Sequence, residues 1–235
     1  MTRIFFVTGT DTDSGKTTAV AALMQAARLS SFSVCGLKPV ASGCSEAGGV
    51  LINPDVLSLQ ENSSFDIPYE QLSCYKFRPA IAPHIAAAEA GVNIDTGLFD
   101  KRISEFSSAY HPDLMFVEGA GGWFLPLSGD TFMADWVSER KFPVILVVGA
   151  KLGCINHAIL TRNEIERSGC TVAGYVINSA DPCMDHREQN ISWLKNYFSD
   201  LPLLGEIPRV AGGGMKNLGI YIDIKLLTDF SNVSD

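Results

Sequence analysis

The residues best equipped for chemistry stand together near the start of the chain, in Gly9-Thr10-Asp11-Thr12-Asp13-Ser14-Gly15-Lys16-Thr17-Thr18. Gly9 and Gly15 tolerate backbone angles that a Cβ disfavours, so this segment can wrap with its N–H groups turned inward. Lys16 offers a mobile ammonium to terminal phosphates, and Thr17 offers a hydroxyl to a magnesium ion that also takes phosphate oxygens. The pattern is a phosphate-binding loop with one departure. Five residues rather than four separate Gly9 from Gly15-Lys16, and Thr10 stands at the expected glycine position. The apolar run Ile4-Phe5-Phe6-Val7 ahead of it and a helical pattern from Lys16 place the loop at a strand-to-helix turn. There the helix dipole adds to the anion site. This agreement favours a nucleoside triphosphate site over a glycine turn that binds nothing. Asp11 and Asp13 would repel a bare polyphosphate, so a divalent cation and Lys16 are expected at the nucleotide.

Further candidates follow other apolar runs. Glu118 ends Leu114-Met115-Phe116-Val117 and precedes Gly119-Ala120-Gly121-Gly122, where many P-loop proteins place an acid that holds magnesium. Asp55, after Asn53-Pro54, is a second metal candidate, with a helix cap as the competing role. Lys38, at the end of a strand and before Pro39, can stabilise a transferring phosphoryl group, or pair with a nearby acid. Gly153-Cys154-Ile155-Asn156-His157 opens a helix whose free N–H groups suit a carboxylate, though an ordinary helix start has the same appearance. Asn178 with Asp181 is similar to a purine-reading Asn-Lys-x-Asp motif, with Ser179 in place of its lysine. His84 and His157 lack metal-ligand or triad spacing, and Trp123 and Trp136 read as packing residues.

These residues need a scaffold of buried strands. Apolar runs predict strands at Ile4–Thr8, Ser33–Pro39, Asp113–Glu118, Pro143–Gly149, Thr171–Asn178 and Leu203–Ile207. Their unbroken apolar character indicates parallel strands covered on both faces. Helical patterns cover Lys16–Leu29, Pro54–Glu61, Pro83–Ala90, Asp95–Tyr110, Phe132–Lys141, Cys154–Ser168 and Asp185–Phe198. The expected fold is α/β, P-loop NTPase-like, a mostly parallel sheet with helices on both faces. No linker or repeat interrupts it, so residues 1–235 read as one domain. Ligands of such sheets sit at the carboxyl ends of the strands.

Composition narrows the partners. A formal charge of −8 leaves no basic footprint for nucleic acid. With 46% apolar residues there is ample core, yet no apolar run long enough for a membrane span. Met1-Thr2-Arg3 runs straight into the first strand, so no signal peptide is expected. Six cysteines, at 35, 44, 74, 154, 170 and 183, show no C-x-x-C spacing and read as reduced thiols of a cytoplasmic protein, disulfide pairing being the alternative.

Together Gly9–Thr18, Lys38-Pro39-Val40-Ala41-Ser42-Gly43, Val117-Glu118-Gly119-Ala120-Gly121-Gly122-Trp123 and Pro143–His157 resemble the dethiobiotin synthetases of biotin biosynthesis, over the chain to about Pro208. The resemblance implies a reaction of 7,8-diaminononanoate with CO2 and MgATP that yields a cyclic urea. It implies that Thr12, Lys16 and Lys38 surround a carbamate and the γ-phosphate. ATP would lie on Asp13, Ser14, Gly15, Lys16, Thr17 and Thr18, with Gly119, Ala120 and Gly121 alongside. Thr17, Asp55 and Glu118 would serve Mg2+, and Ser42 the diamine end. Asn178, Ser179, Pro208, Arg209 and Val210 would contact adenine. A homodimer would bring Gly153, Cys154, Ile155 and Asn156 of one subunit to the substrate carboxylate held by the other.

Two alternatives remain at this stage. Nucleotide switches of the ParA/MinD kind share the core, but usually carry a lysine early in the loop, aligned with Asp11 here. A related synthetase or kinase acting on another carboxylate is less easily separated, because substrate pockets lie in loops.

Overall fold

In the computed structural model, which describes residues 1–179, 184–209 and 215–230, six parallel strands form the central sheet. They are β1 (Arg3–Gly9), β2 (Val34–Leu37), β3 (Leu114–Glu118), β4 (Val144–Gly149), β5 (Val172–Asn178) and β6 (Leu203–Ile207). Across the sheet their order is β6-β5-β4-β1-β3-β2. The P-loop strand is therefore flanked by β3, with Val7 opposite Glu118, and by β4, with Gly9 opposite Val147. Every residue of β2, β3, β4 and β5 is buried, as strands covered on both faces must be.

Alternation along β1 sends neighbouring residues into different layers. Phe6 packs edge-on against Trp123 and Trp136, in the layer that also holds Phe99, Ile103, Ile165 and Leu194. Phe5 and Val7 face the other layer, with Ala19, Leu23 and Ala27. The helices are α1 (Lys16–Leu29), α2 (Pro54–Asn62), α3 (Pro83–Glu89), α4 (Gly97–Tyr110), α5 (Met133–Arg140), α6 (Cys154–Arg167), α7 (Arg187–Tyr197) and the short α8 (Lys225–Thr228). The alanines Ala19, Ala22, Ala26 and Ala27 of α1 are buried in the same layer as Phe5 and Val7.

Most boundaries fall within one residue of expectation, and three differ by two residues, each for a physical reason. β2 stops at Leu37 instead of Pro39, because the proline has no N–H for the ladder and Lys38 N–H turns to Leu72 O at 2.9 Å. α4 starts at Gly97 instead of Asp95, whose carboxylate accepts the Gly97 N–H at 2.8 Å and closes a turn. α7 starts at Arg187 instead of Asp185, after His186 in the left-handed region at φ 50°. Short pairings outside the sheet, Val40–Ala41 with Tyr75–Lys76, Ser45–Ala47 with Val50–Ile52 and Pro126–Ser128 with Thr131–Phe132, were not foreshadowed. Among the described residues no helix is long and apolar enough to cross a membrane.

Candidate active site

Of the two loop glycines, Gly15 takes an angle that a Cβ disfavours, whereas Gly9 ends β1 and is needed for close approach, since a Cβ there would meet Ser14 Oγ at 2.1 Å. Asp13 and Gly15 are left-handed, at φ 58° and 86°. A Cβ on Gly15 would lie 1.9 Å from Asn178 Nδ2, so this position has room only for glycine. Lys16 folds back over the turn and donates to the carbonyl oxygens of Asp11, at 3.1 Å, and Gly121, at 2.5 Å. It thereby spans the P-loop and the glycine turn after β3. Burial, with the Lys38 charge adding, pulls the Lys16 amine down to about 8.

Asp11 is neutralised within the chain. Its carboxylate accepts from Lys151 Nζ at 2.8 Å and from the Thr12 N–H at 2.8 Å, and the Lys151 hydrogen bond is the main cause of its lowered pKa. Lys151 precedes α6, and nothing in its sequence setting singled it out.

Of the two readings of Lys38, the ion pair with nearby acids is the one seen here. Leu37 is in register with Val117, so the next residues, Lys38 and Glu118, meet beyond the paired ends. Lys38 Nζ lies 2.7 Å from Glu118 Oε1 and 2.9 Å from Asp55 Oδ2. Burial acts to lower the lysine's pKa, but the two carboxylates outweigh it and the net shift is upward. Asp55 moves down: burial opposes this, and Lys38 overcomes it. Asp55 is not the cap of α2; that role belongs to Asn53, whose Oδ1 accepts from the N–H groups of Asp55 and Val56.

Thr17 Oγ1 donates to the same Glu118 Oε1 at 2.8 Å, while Glu118 Oε2 is buried with no partner among the described residues. A buried carboxylate oxygen left without a donor is costly unless a cation or water completes it. Thr17, Asp55 and Glu118 supply hard oxygens suited to Mg2+, and the donor set fits that ion.

These groups line a cleft of about 740 Å3 at the carboxyl edge of the sheet. Thr12, Asp13, Gly15, Lys16, Thr17 and Thr18 form one side of it. Lys38, Asp55, Glu118, Ala120 and Gly121 form its floor, and Ser42 also lines it, its hydroxyl buried with no partner among the described residues. Ser14 is buried behind the loop, its Oγ without a partner among the described residues, and Gly119 is packed at the strand end, its N–H on Val7 O. Sequence reasoning missed the far wall, Ala80, Ile81, Ala82, Pro83 and Leu125, which is apolar and carries no chemical signature.

The remaining candidates lie outside that lining. Asn178 ends β5 and donates through Nδ2 to Ser14 O at 3.2 Å, so it braces the P-loop from behind. Ser179 N–H joins Ile207 O, and Ser179 Oγ accepts from Arg187. Pro208 and Arg209 are exposed just past β6, while Val210 and Asp181 fall outside the described residues. Gly153 and Asn156 are exposed at the start of α6, Cys154 is buried and Ile155 half-buried. The described cysteines are free thiols, and burial pushes Cys154 up and Cys35 to about 12.

Fold and site together define a P-loop nucleotide-binding α/β protein. A family model described as "AAA domain" matches residues 3–212. The ATP-dependent dethiobiotin synthetase BioD of Tolumonas auensis is 43% identical over 227 residues, covering 97% of this chain and 100% of that protein. That of Escherichia coli K12 is 42% identical over 228 residues, with 97% and 100% coverage. The chain belongs to the ATP-dependent dethiobiotin synthetase family. Two solved structures share the fold alone. A ParA family ATPase from Chlorobium tepidum matches at TM-score 0.51 and 14% identity, over 97% of this chain and 92% of that one. The MinD protein of Pyrococcus horikoshii matches at 0.50 and 17%, over 97% and 95%.

Proposed function

We propose that this chain converts 7,8-diaminononanoate, CO2 and ATP into dethiobiotin, ADP and phosphate. The observation that carries this is the meeting of two lysines and two carboxylates at the phosphate end of one cleft, with Ser42 on its wall. Family membership supplies the substrates, and the geometry supplies roles for the residues.

One amine of the substrate adds to CO2 and loses a proton, giving a carbamate. A carbamate oxygen attacks the γ-phosphorus of ATP and ADP leaves. The second amine attacks the carbonyl carbon of the mixed anhydride, phosphate departs, and the urea ring is closed. Phosphoryl transfer of this kind depends on positioning and on neutralising charge. Lys16 serves the β/γ end from the P-loop, Lys38 approaches it from the end of β2, two strands across the sheet, and Thr12 lies at the rim where the carbamate enters. Thr17, Asp55 and Glu118 would hold Mg2+, which when bound offsets phosphate charge. Ser42 offers its unpaired hydroxyl to the amine end of the diamine.

Adenine is assigned to the strand ends beyond β4, at Asn178, Ser179, Pro208, Arg209 and Val210. The strand order supports this, since β5 and β6 lie on one side of the P-loop strand and Lys38 on the other. In a homodimer, Gly153, Cys154, Ile155 and Asn156 of one subunit would reach the substrate carboxylate held mainly by its partner. The enzyme is read as a single cytoplasmic domain acting on small molecules, without nucleic acid or membrane partners.

The test is direct. Purified protein with MgATP, bicarbonate and the diamine yields the cyclic urea by mass spectrometry, and ADP forms only with the diamine present. ATP hydrolysis that is indifferent to the diamine, with no urea, would contradict the reading.

A further inference from the structure

Asn53 is 3% exposed and belongs to no part of the chemistry described above, yet it touches two of its residues' supports. Its Oδ1 accepts from the Asp55 N–H at 3.0 Å and the Val56 N–H at 3.4 Å, which caps α2 and sets the metal-side carboxylate at its first turn. Its Nδ2 donates to Ser42 O at 3.0 Å, across eleven positions of chain. Its backbone N–H donates to Tyr69 Oη at 2.8 Å, and that hydroxyl donates in turn to Leu51 O at 3.0 Å. An amide has both an acceptor and donors, and here each is used in a different direction.

We propose that Asn53 is a positioning residue that fixes the Ser42 turn against the start of α2, so that the diamine end and the Asp55 end of the cleft keep a set separation. A helix cap alone needs only the acceptor oxygen, and serine or aspartate supplies that equally well. The donor half is what a cap does not explain. It ties a turn whose own buried hydroxyl has no partner among the described residues, beside the backbone bonds from Gly43 N–H to Pro79 O, Cys44 N–H to Phe77 O and Phe77 N–H to Ala41 O. The burial of Asn53 strengthens the tether, since a hydrogen bond in a low-dielectric setting is electrostatically stronger than one in water. The inference rests on the assignment of Ser42 to the substrate and Asp55 to the metal.

The test separates cap from tether. Asn53→Asp and Asn53→Ser keep an acceptor for the α2 N–H groups; neither presents an amide N–H to Ser42 O. Asn53→Ala loses both, and the aspartate variant alone adds charge. In both cap-keeping variants, hydrogen exchange read by mass spectrometry speeds up over residues 40–45 and stays unchanged over 55–60. The KM for the diamine rises about tenfold, the scale of one buried hydrogen bond, while the KM for MgATP stays within about twofold. Asn53→Ala disturbs both substrates. Unchanged exchange and unchanged diamine KM in both cap-keeping variants would overturn the proposal. A wild-type protein that makes no cyclic urea would overturn the reading of the site, and the exchange data would still judge the tether.

Discussion

Lys38 Nζ and Glu118 Oε1 lie 2.7 Å apart, just past the paired ends of β2 and β3, with the glutamate side chain fully buried and the lysine nearly so. Asp55 completes the contact from α2 at 2.9 Å. The ammonium therefore sits against the same two carboxylates that would receive a divalent cation, and each neutralises charge the other would otherwise meet.

Lys38→Met should lower turnover by about 10^2- to 10^3-fold, the usual effect of removing one charge aimed at a transition state. It should also raise affinity for Mg2+ without nucleotide, since the carboxylates lose their resident cation. Stranding a buried carboxylate costs about 3 kcal/mol of stability. Magnesium should recover part of that, so thermal denaturation shows a larger Mg2+-induced rise in Tm for the variant than for the wild type. Equal rises would refute the competition.

The trio also sets a pH dependence of stability. Asp55, with its pKa lowered in the fold, stabilises above the carboxylate's ordinary 3.8, and the benefit fades as pH falls through the folded value. Lys38, with its pKa raised, stabilises below 10.5, and its benefit fades as pH climbs through the folded value. Urea titrations should give a broad plateau between these limits, and Asp55→Asn should flatten its acid flank.

With its amine near 8, Lys16 is only partly charged in mildly alkaline solution. Polyphosphate beside it restores the charge. Calorimetry in buffers of different ionisation enthalpy should show MgATP binding at pH 8.5 taking up most of a proton, with little uptake from this group at pH 6.5. Lys16→Arg, which stays charged, should bind without that uptake. A wild-type uptake of zero at pH 8.5 would remove the assigned contact.

Gly15→Ala meets both a left-handed backbone and the Asn178 amide at 1.9 Å from its Cβ. Nucleotide binding should fall at least tenfold, a strain of about 1–2 kcal/mol being focused on the loop. Gly129→Ala also carries a positive φ, 44°, but has nothing among the described residues within 4 Å of its Cβ. It should lose stability and keep nucleotide affinity, as fluorescence titration would show.

Much of this architecture was legible from local pattern. α1 falls on Lys16–Leu29 as expected, and β6 on Leu203–Ile207, because both are punctuated by strong signals. The P-loop, Glu118 and Lys38 were readable since each follows a buried apolar run. What stayed hidden depends on pairing between distant segments. The place of β1 between β3 and β4 cannot be read from any single strand, and neither can the Asp11–Lys151 bridge across 140 positions. The cap of α2 was offered to Asp55 and belongs to Asn53, two positions earlier. Its second partner, Ser42, is a contact that only the folded turn creates. The apolar wall at Ala80–Pro83 gave no signal because small apolar residues are common everywhere.

The central claim is that a carbamate oxygen, held at the Lys16–Lys38 end of the cleft, accepts the γ-phosphoryl group. Single turnover with fresh C18O2 tests it most directly. The account predicts one 18O in the released phosphate and one in the urea carbonyl, with none entering the phosphate from 18O-labelled water. Phosphate that takes its new oxygen from water instead, with unlabelled ATP and labelled CO2 present, would contradict it.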